Sequence, residues 1–383
     1  MWARREGAGV RVVMLSKALV VGSYQTKLEA IAAYDDVALT ALVPPLWREG
    51  RRQAVLERAH LQGYDLRELP IFLNGSFHAH FYPTLRRELR RLGPDLVHID
   101  EEPYNLATYL AVRACRAEGA RCLFFTWQNL LRRYPWPFGA MERSVYGGVD
   151  AAIAGNAAAV DVLRAKGYAG PATVIPQFGV DPGLFRPSGG RPPSSRVVIG
   201  YAGRLVPEKG LWLLIEALEQ LAGDWELRLI GQGPLEGALR DRVARSRLAQ
   251  RVVFCGQAGS GEMPQRLAEL DILALPSLTQ ANWAEQFGRV LVEAMACEVA
   301  VVGSDSGEIP QVIGDAGLVV REGDAMALRD ALQRLVDEPE LQRSLGSRGR
   351  QRVLDHYTQA RIAAETVAVY RRVLGADEHE SRG

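Results

Sequence analysis

Short apolar runs alternate with amphipathic stretches along the whole chain, the pattern of parallel sheets with crossover helices. In the first half the runs predict strands at Val10–Leu15, Val37–Val43, Leu96–Ile99, 123–126, Ala151–Ala154 and 174–176. Residues 181–196, DPGLFRPSGGRPPSSR, then hold four prolines and three glycines without periodicity, which reads as a linker. A second alternating unit follows: strand Val197–Ala202, helix 211–221, strands 227–230, 252–255 and Ile272–Leu275, helix 288–296, and strands 300–303 and Leu318–Val320. Leu211, Leu214, Ile215, Leu218 and Leu221 fall on one helical face. A last helix, about 359–374, carries Ile362, Val367, Val369, Tyr370 and Val373 with no strand after it, and is expected to pack back across the first domain. The division is therefore 1–185, 186–358 and a returning segment 359–383. Ligands bind beyond the carboxyl ends of strands in such sheets, so two of them facing each other would make a cleft.

With 383 residues, two cores are the prior. The composition is globular, 48% hydrophobic and 24% charged, and a formal net charge of +1 gives no global field to recruit nucleic acid. Cys115, Cys122, Cys255 and Cys297 match no metal spacing and read as reduced, buried thiols, which suits a cytoplasmic protein. No apolar run approaches the roughly 18 to 20 residues of a membrane span. Residues 1–9, MWARREGAG, are too short and polar for a signal peptide and read as a frayed leader.

The densest chemistry lies in 285–293, EQFGRVLVE. Glu285 and Glu293 stand eight positions apart, and the apolar Val290, Leu291 and Val292 before Glu293 predict a helix buried nearly all round. A carboxylate there is costly unless hydrogen-bonded. If 285–293 were wholly helical, eight residues would rise about 12 Å, close to the reach from a sugar across a diphosphate to a ribose. The N–H groups of Phe287, Gly288 and Arg289 would then meet phosphate at a helix start. Polar loops recur after the other strands of this half. GRLVPEKG, 203–210, brings Arg204 and Lys209 to a helix entrance between two glycines; GQGP, 231–234, is another glycine turn; PSLTQANWAEQFG and SDSGEIP follow later strands.

In order and spacing, these motifs resemble the nucleotide-binding domain of the GT-B retaining glycosyltransferases of family 4, over about residues 197–323. The resemblance implies a GT-B fold: two Rossmann-like domains facing a central cleft, with the C-terminal helix on the N-terminal domain. It implies that Arg204 and Lys209 hold the diphosphate and that Glu285 faces the transferred sugar. Glu293 would take the ribose hydroxyls, and Gly203, Gly231, Phe287, Gly288, Arg289 and Val290 would line the donor. The nucleobase would lie near the backbone of Phe254 to Gln257. The first half is less sharp. SKALVVGSYQTK, 16–27, offers Gly22 and Ser23 as the phosphate turn, with a helix starting near Tyr24. Where many members carry a histidine, this chain has TWQN, with Gln128 and Asn129 able to hydrogen-bond a sugar but not to act as a base.

Other features keep two readings each. His98 is either a core residue or, with Asp100, Glu101 and Glu102, part of an acceptor site. His78 and His80 alternate as on one face of a strand, exposed or on an acceptor loop, and no third ligand at metal spacing accompanies them. LRRELRRL, 85–92, and LLRRYPWPF, 130–138, are either solvated surfaces or peripheral membrane contacts. The expectation is a hexosyltransferase taking a UDP- or GDP-sugar, with retention, to a sugar, lipid-linked or small-molecule acceptor, without cofactor or metal. A nucleotide-sugar epimerase or a non-catalytic GT-B scaffold are the competing readings.

Overall fold

The computed structural model describes residues 9–50, 52–188, 196–259 and 261–375. Residues 1–8 of the leader and the centre of the linker lie outside them. The chain forms two compact units, one of residues 1–179 with 359–383 and one of 180–358. Residues 180–185 thus belong to the second unit rather than to the first domain expected from sequence. The backbone explains why: Val180 bridges Thr358, and the Phe185 carbonyl accepts from Arg350, both residues of the second unit.

In the first unit the strands are β1 Val10–Leu15, β2 Val37–Val43, β3 Leu46–Glu49, β4 Arg52–Val55, β5 Asp65–Glu68, β6 Leu96–Ile99, β7 Arg121–Thr126, β8 Ala151–Ala154 and β9 Ala172–Val174. Seven of them form a sheet in the order β5-β2-β1-β6-β7-β8-β9, parallel throughout. The central strands are apolar on both faces, as helices on either side require. The antiparallel hairpin β3–β4 and strand β5 were not expected; their Arg and Glu residues mask any apolar alternation. The helix expected near Tyr24 begins at Thr26, after two 3-10 turns.

The second unit holds β10 Val197–Ala202, β11 Trp225–Ile230, β12 Val252–Gly256, β13 Ile272–Leu275, β14 Ala300–Ser304 and β15 Leu318–Val320. They form a parallel sheet in the order β12-β11-β10-β13-β14-β15. In each sheet the order reverses beside the first strand, between β1 and β6 and between β10 and β13. The loops leaving those strands are where ligand chemistry is built in doubly wound sheets. Cys115, Cys122 and Cys297 are buried thiols as expected, whereas Cys255 is only half-buried.

The helix Gln359–Val373 packs into the first unit, as its apolar stripe predicted. Ile362, Val367, Val369 and Tyr370 join Met14, Leu28, Ile31 and Leu39 in one core, each such side chain contributing about 1.5–3 kcal/mol by burial. His98 settles as a core residue here: its Nδ1 shares a 2.7 Å hydrogen bond with the Tyr370 hydroxyl. Burial, helped by the charge of nearby Lys27, holds its pKa well below the ordinary histidine value. Unfolded, His98 would titrate at about 6.5, so the neutral buried ring stabilises the fold fully above that pH. Stability should be lost as pH falls below about 6.5. Tyr370→Phe removes the bond and should cost about 1–3 kcal/mol, measured by urea unfolding at neutral pH. An unchanged midpoint would show that apolar packing alone seats the helix.

Candidate active site

The second unit's switch point is built backbone against backbone. Gly210 has φ +67°, and a Cβ there would lie 1.8 Å from the Pro276 carbonyl oxygen. Gly307, φ +55°, would place a Cβ 2.0 Å from the carbonyl oxygen of Glu285. The loops after β10, β13 and β14 therefore stack without intervening side chains. Leu278 N–H donates to the Glu208 carbonyl at 2.8 Å, Glu308 N–H to that of Glu285 at 3.0 Å, and Ser304 Oγ to that of Ser277 at 2.5 Å.

This stacking brings Lys209 and Glu285 together. Lys209 Nζ donates to Glu285 Oε2 at 2.6 Å, and Ser277 Oγ donates to the same oxygen at 2.9 Å. The ammonium also sits 4.8 Å from the centre of the Trp283 ring, a cation–π contact. Glu285 is buried, 8% exposed, so losing its cation would leave a costly charge. Arg204, on the same turn as Lys209, is exposed. Trp283 and Ser277 were not singled out from sequence, because nothing in a linear pattern shows which loop residues converge on Glu285.

Glu285 is not helical, contrary to the continuous helix considered for 285–293. The helix is Arg289–Ala296, and Gly288 precedes it with φ +71°. The left-handed glycine turns the chain between the two glutamates, so a 12 Å helical rise between them does not apply. Phe287 is buried and edges against Tyr357, at 5.6 Å between ring centres. Arg289 and Val290 are partly buried. Glu293 is 8% exposed. Burial raises its pKa, opposed by the charge and hydrogen bonding of Arg289, whose Nε stands 2.7 Å from the carboxylate.

Next to this, Gly203 and Gly231 lie in touching turns: Gly203 N–H donates to Ile230 O at 2.9 Å and Gly231 N–H to Gly256 O at 2.7 Å. Strand β12 carries a register shift where Ile230 pairs with Gly256. Phe254 is partly buried under the Arg240 guanidinium, 4.2 Å from its ring centre, and Gln257 is exposed. Arg240, on the preceding helix, is a further residue at this edge that the sequence did not single out.

In the first unit several expected contacts are already spent. The Gly22 N–H, expected to meet phosphate, donates to Glu57 Oε2 at 2.7 Å. Ser23 is partly buried, its carbonyl taken by Thr26 Oγ1 at 3.1 Å. Gln128 uses both ends of its amide, Nε2 on Tyr134 at 3.2 Å and Oε1 on Lys166 at 2.9 Å. Asn129 is partly buried and also engaged. Glu101 is sealed off, its side chain bound by the Lys17 ammonium and by Tyr82 at 3.1 Å. His98, buried under the helix Gln359–Val373, is likewise removed from any acceptor role. His78 and His80 sit in a loop, not on one face of a strand: His80 is buried with Nδ1 at 3.1 Å from two carbonyls, and His78 packs among aromatic rings. Among the described residues no group of three or more His, Cys, Asp or Glu is placed to hold a metal.

Two family models match the chain, "Glycosyl transferases group 1" over residues 187–352 and "Glycosyltransferase Family 4" over 39–215. The phosphatidyl-myo-inositol mannosyltransferase of Mycolicibacterium smegmatis is 30% identical over 329 residues, 80% of each chain. The chain belongs to glycosyltransferase family 4. The MMP alpha-(1->4)-mannosyltransferase of Mycolicibacterium hassiacum is 30% identical over 254 residues, 65% of this chain and 60% of that one. Several relatives are thus matched over less than two thirds of their length. Among solved structures, Anabaena HepE in complex with UDP superposes with a TM-score of 0.72 at 17% identity, covering 95% of this chain and 100% of that one. The fold of this family 4 member is GT-B.

Gly210→Ala tests whether the stacked loops are needed. A left-handed φ with a 1.8 Å overlap onto backbone should cost at least about 1–3 kcal/mol. Thermal melting would show it, and an unaltered melting temperature would mean that the loops part without penalty.

Proposed function

We propose that the protein transfers a hexosyl group from a nucleoside-diphosphate sugar to an acceptor hydroxyl, with retention of anomeric configuration and without a metal. The observation that carries this reading is the meeting of Lys209 and Glu285 at the switch point, with Arg204 exposed on the same turn. A diphosphate at that turn would meet two cations, which would stabilise the leaving group as its charge grows. Lys209 would bridge the phosphate and Glu285, leaving Glu285 beside the sugar. Glu293 is the partner assigned to the ribose. Both relatives described above are mannosyltransferases by name, which favours mannose as the transferred sugar, and two further relatives are GDP-mannose-dependent by name, which favours GDP over UDP as its carrier.

The side chains available as a base in the first unit favour retention. Inversion needs a base opposite the leaving group. In the first unit Gln128 cannot take a proton, His98 is buried under the last helix, and Asp100 and Glu101 are held by their neighbours. The leaving phosphate oxygen is then the base, on the departing face. Glu102 is the one carboxylate of that strand end not consumed in this way, and an inverted product would point to it. Proton NMR of the first-formed glycoside decides between the two, and the expected product keeps the donor's anomeric configuration.

A lipid-linked acceptor stays within the proposal. Arg86 and Arg90 both close on Glu118, so the helix Leu85–Leu92 keeps less free positive charge for an anionic surface than its sequence suggests. Leu131 and Trp136 are exposed beside Arg132 and Arg133. No helix of the described residues is long and apolar enough to cross a membrane.

Transfer should persist in EDTA; abolition by EDTA with recovery on adding magnesium or manganese would overturn the metal-free reading. Arg204→Ala should weaken GDP or UDP binding roughly tenfold to a hundredfold, the value of a charge-assisted bond of about 1.5–3 kcal/mol. Calorimetric titration measures it, and unchanged affinity would remove this turn from the donor site.

A further inference from the structure

Three consecutive carboxylates end β6, and the structure treats them differently. An ionised carboxylate offers about four lone-pair sites. Asp100 accepts from Ser16 Oγ at 2.7 Å and from Gln177 Nε2 at 3.0 Å on both oxygens. Glu101 is wrapped by the Lys17 ammonium, the Lys17 N–H at 3.3 Å, Tyr82 at 3.1 Å, Asn105 at 3.5 Å and His80 Nε2 at 3.6 Å. Burial works to raise its pKa, yet Lys17 and His80 hold it at about 2. Glu102 has one donor on each oxygen, Thr126 Oγ1 at 2.6 Å and the Trp127 N–H at 2.8 Å. No cation of the described residues comes within ion-pair distance of it. Burial lifts its pKa to about 7; Thr126, Trp127 and Lys17 oppose that, and Glu101 adds to it.

A carboxylate drawn out of water without a counter-charge is costly. The Thr126 and Trp127 bonds fix its plane but leave a second lone pair on each oxygen. Beside it stands an aromatic wall. Tyr104 and Tyr134 lie 4.4 Å apart between ring centres, and both feel the Glu102 charge. His78 packs on Tyr104, Tyr134 and Phe138 at 5.4 to 5.6 Å. Its Nδ1 is buried without a partner among the described residues. Lys166, whose Nζ is 4.6 Å from the Tyr134 ring centre, is close enough to sense Glu102 as well, as is Tyr146. The charges around the wall are paired, Lys17 with Glu101 and Lys166 with Glu142 at 2.6 Å, and Arg132 is near enough to act on His78, Tyr104 and Tyr134. Aromatic faces, a directed carboxylate and a spare imidazole nitrogen suit an uncharged ring bearing hydroxyls.

We propose that Glu102 is a positioning residue for the acceptor, accepting a hydrogen bond from a hydroxyl of an uncharged polyol ring seated against Tyr104, Tyr134 and His78. This rests on the reading of the first unit as the acceptor domain. The probes are myo-inositol, methyl α-D-mannopyranoside and methyl α-D-glucopyranoside, tested by saturation-transfer NMR with excess GDP and, separately, UDP. At least one should bind the unaltered protein. Glu102→Gln should weaken that binding roughly tenfold to a hundredfold, the loss of a charge-assisted bond. Binding should weaken as pH falls through about 7, where the carboxylate takes up its proton. In Glu102→Gln this pH response should vanish, and in Glu102→Asp, which keeps the charge, it should persist. Binding of none of the probes, equal binding by Glu102→Gln, or a pH response surviving in that variant would overturn the proposal. Nucleotide titration of the same variants reports separately on the donor reading: lost GDP and UDP binding in the unaltered protein would sink that reading and leave the polyol result standing.

Discussion

Backbone carbonyls of Pro276 and Glu285 occupy the space where side chains at 210 and 307 would begin, and the second unit's chemistry depends on that. With glycine at both positions the loops after β10, β13 and β14 close to hydrogen-bonding range. That closeness lets the Lys209 side chain reach Glu285 from another loop, and lets Ser277 share the same oxygen. A wider separation would take the Lys209 ammonium away from the buried Glu285 carboxylate, which is costly.

The first unit repeats the arrangement at its own switch point. Lys17 follows the central strand β1 and pairs with Glu101 at the end of β6, just as Lys209 follows β10 and pairs with Glu285 beyond β13. The two pairs differ in access. The Glu101 side chain is sealed, while Glu285 keeps 10% of its side-chain surface and Lys209 19%. One pair is therefore closed between the central strands of its sheet, and the other keeps exposed surface.

Much of this was legible in the sequence. The apolar runs of β1, β6, β7, β10, β13 and β14 stand out because strands buried on both faces carry few polar residues. The stripe Ile362, Val367, Val369 and Tyr370 announced the returning helix. Hidden from the sequence were matters of pairing. Gly22 looks like a phosphate turn until Glu57, thirty-five positions on, is seen at its N–H. Glu101 and Glu102 are neighbours of one chemical type, and only the surrounding donors show which is spent. The hairpin β3–β4 was missed because its charged residues erase the alternation that marks a half-buried strand.

The second unit is an insertion into the first. The chain leaves the first unit after Gly179 and returns at Gln359, where the Gly179 N–H donates to Gln359 Oε1 at 3.3 Å. The helix Gln359–Val373 therefore leaves the ribosome only after the whole of the second unit. Until then, the surface formed by Leu28, Ile31 and Leu39 lacks Ile362, Val367, Val369 and Tyr370, although every strand of its sheet has already been synthesised. The second unit is continuous and can close as soon as it emerges, whereas the first must wait with an apolar face open. Nascent-chain order thus runs against sequence order, and the exposed interval falls on the unit that begins the protein.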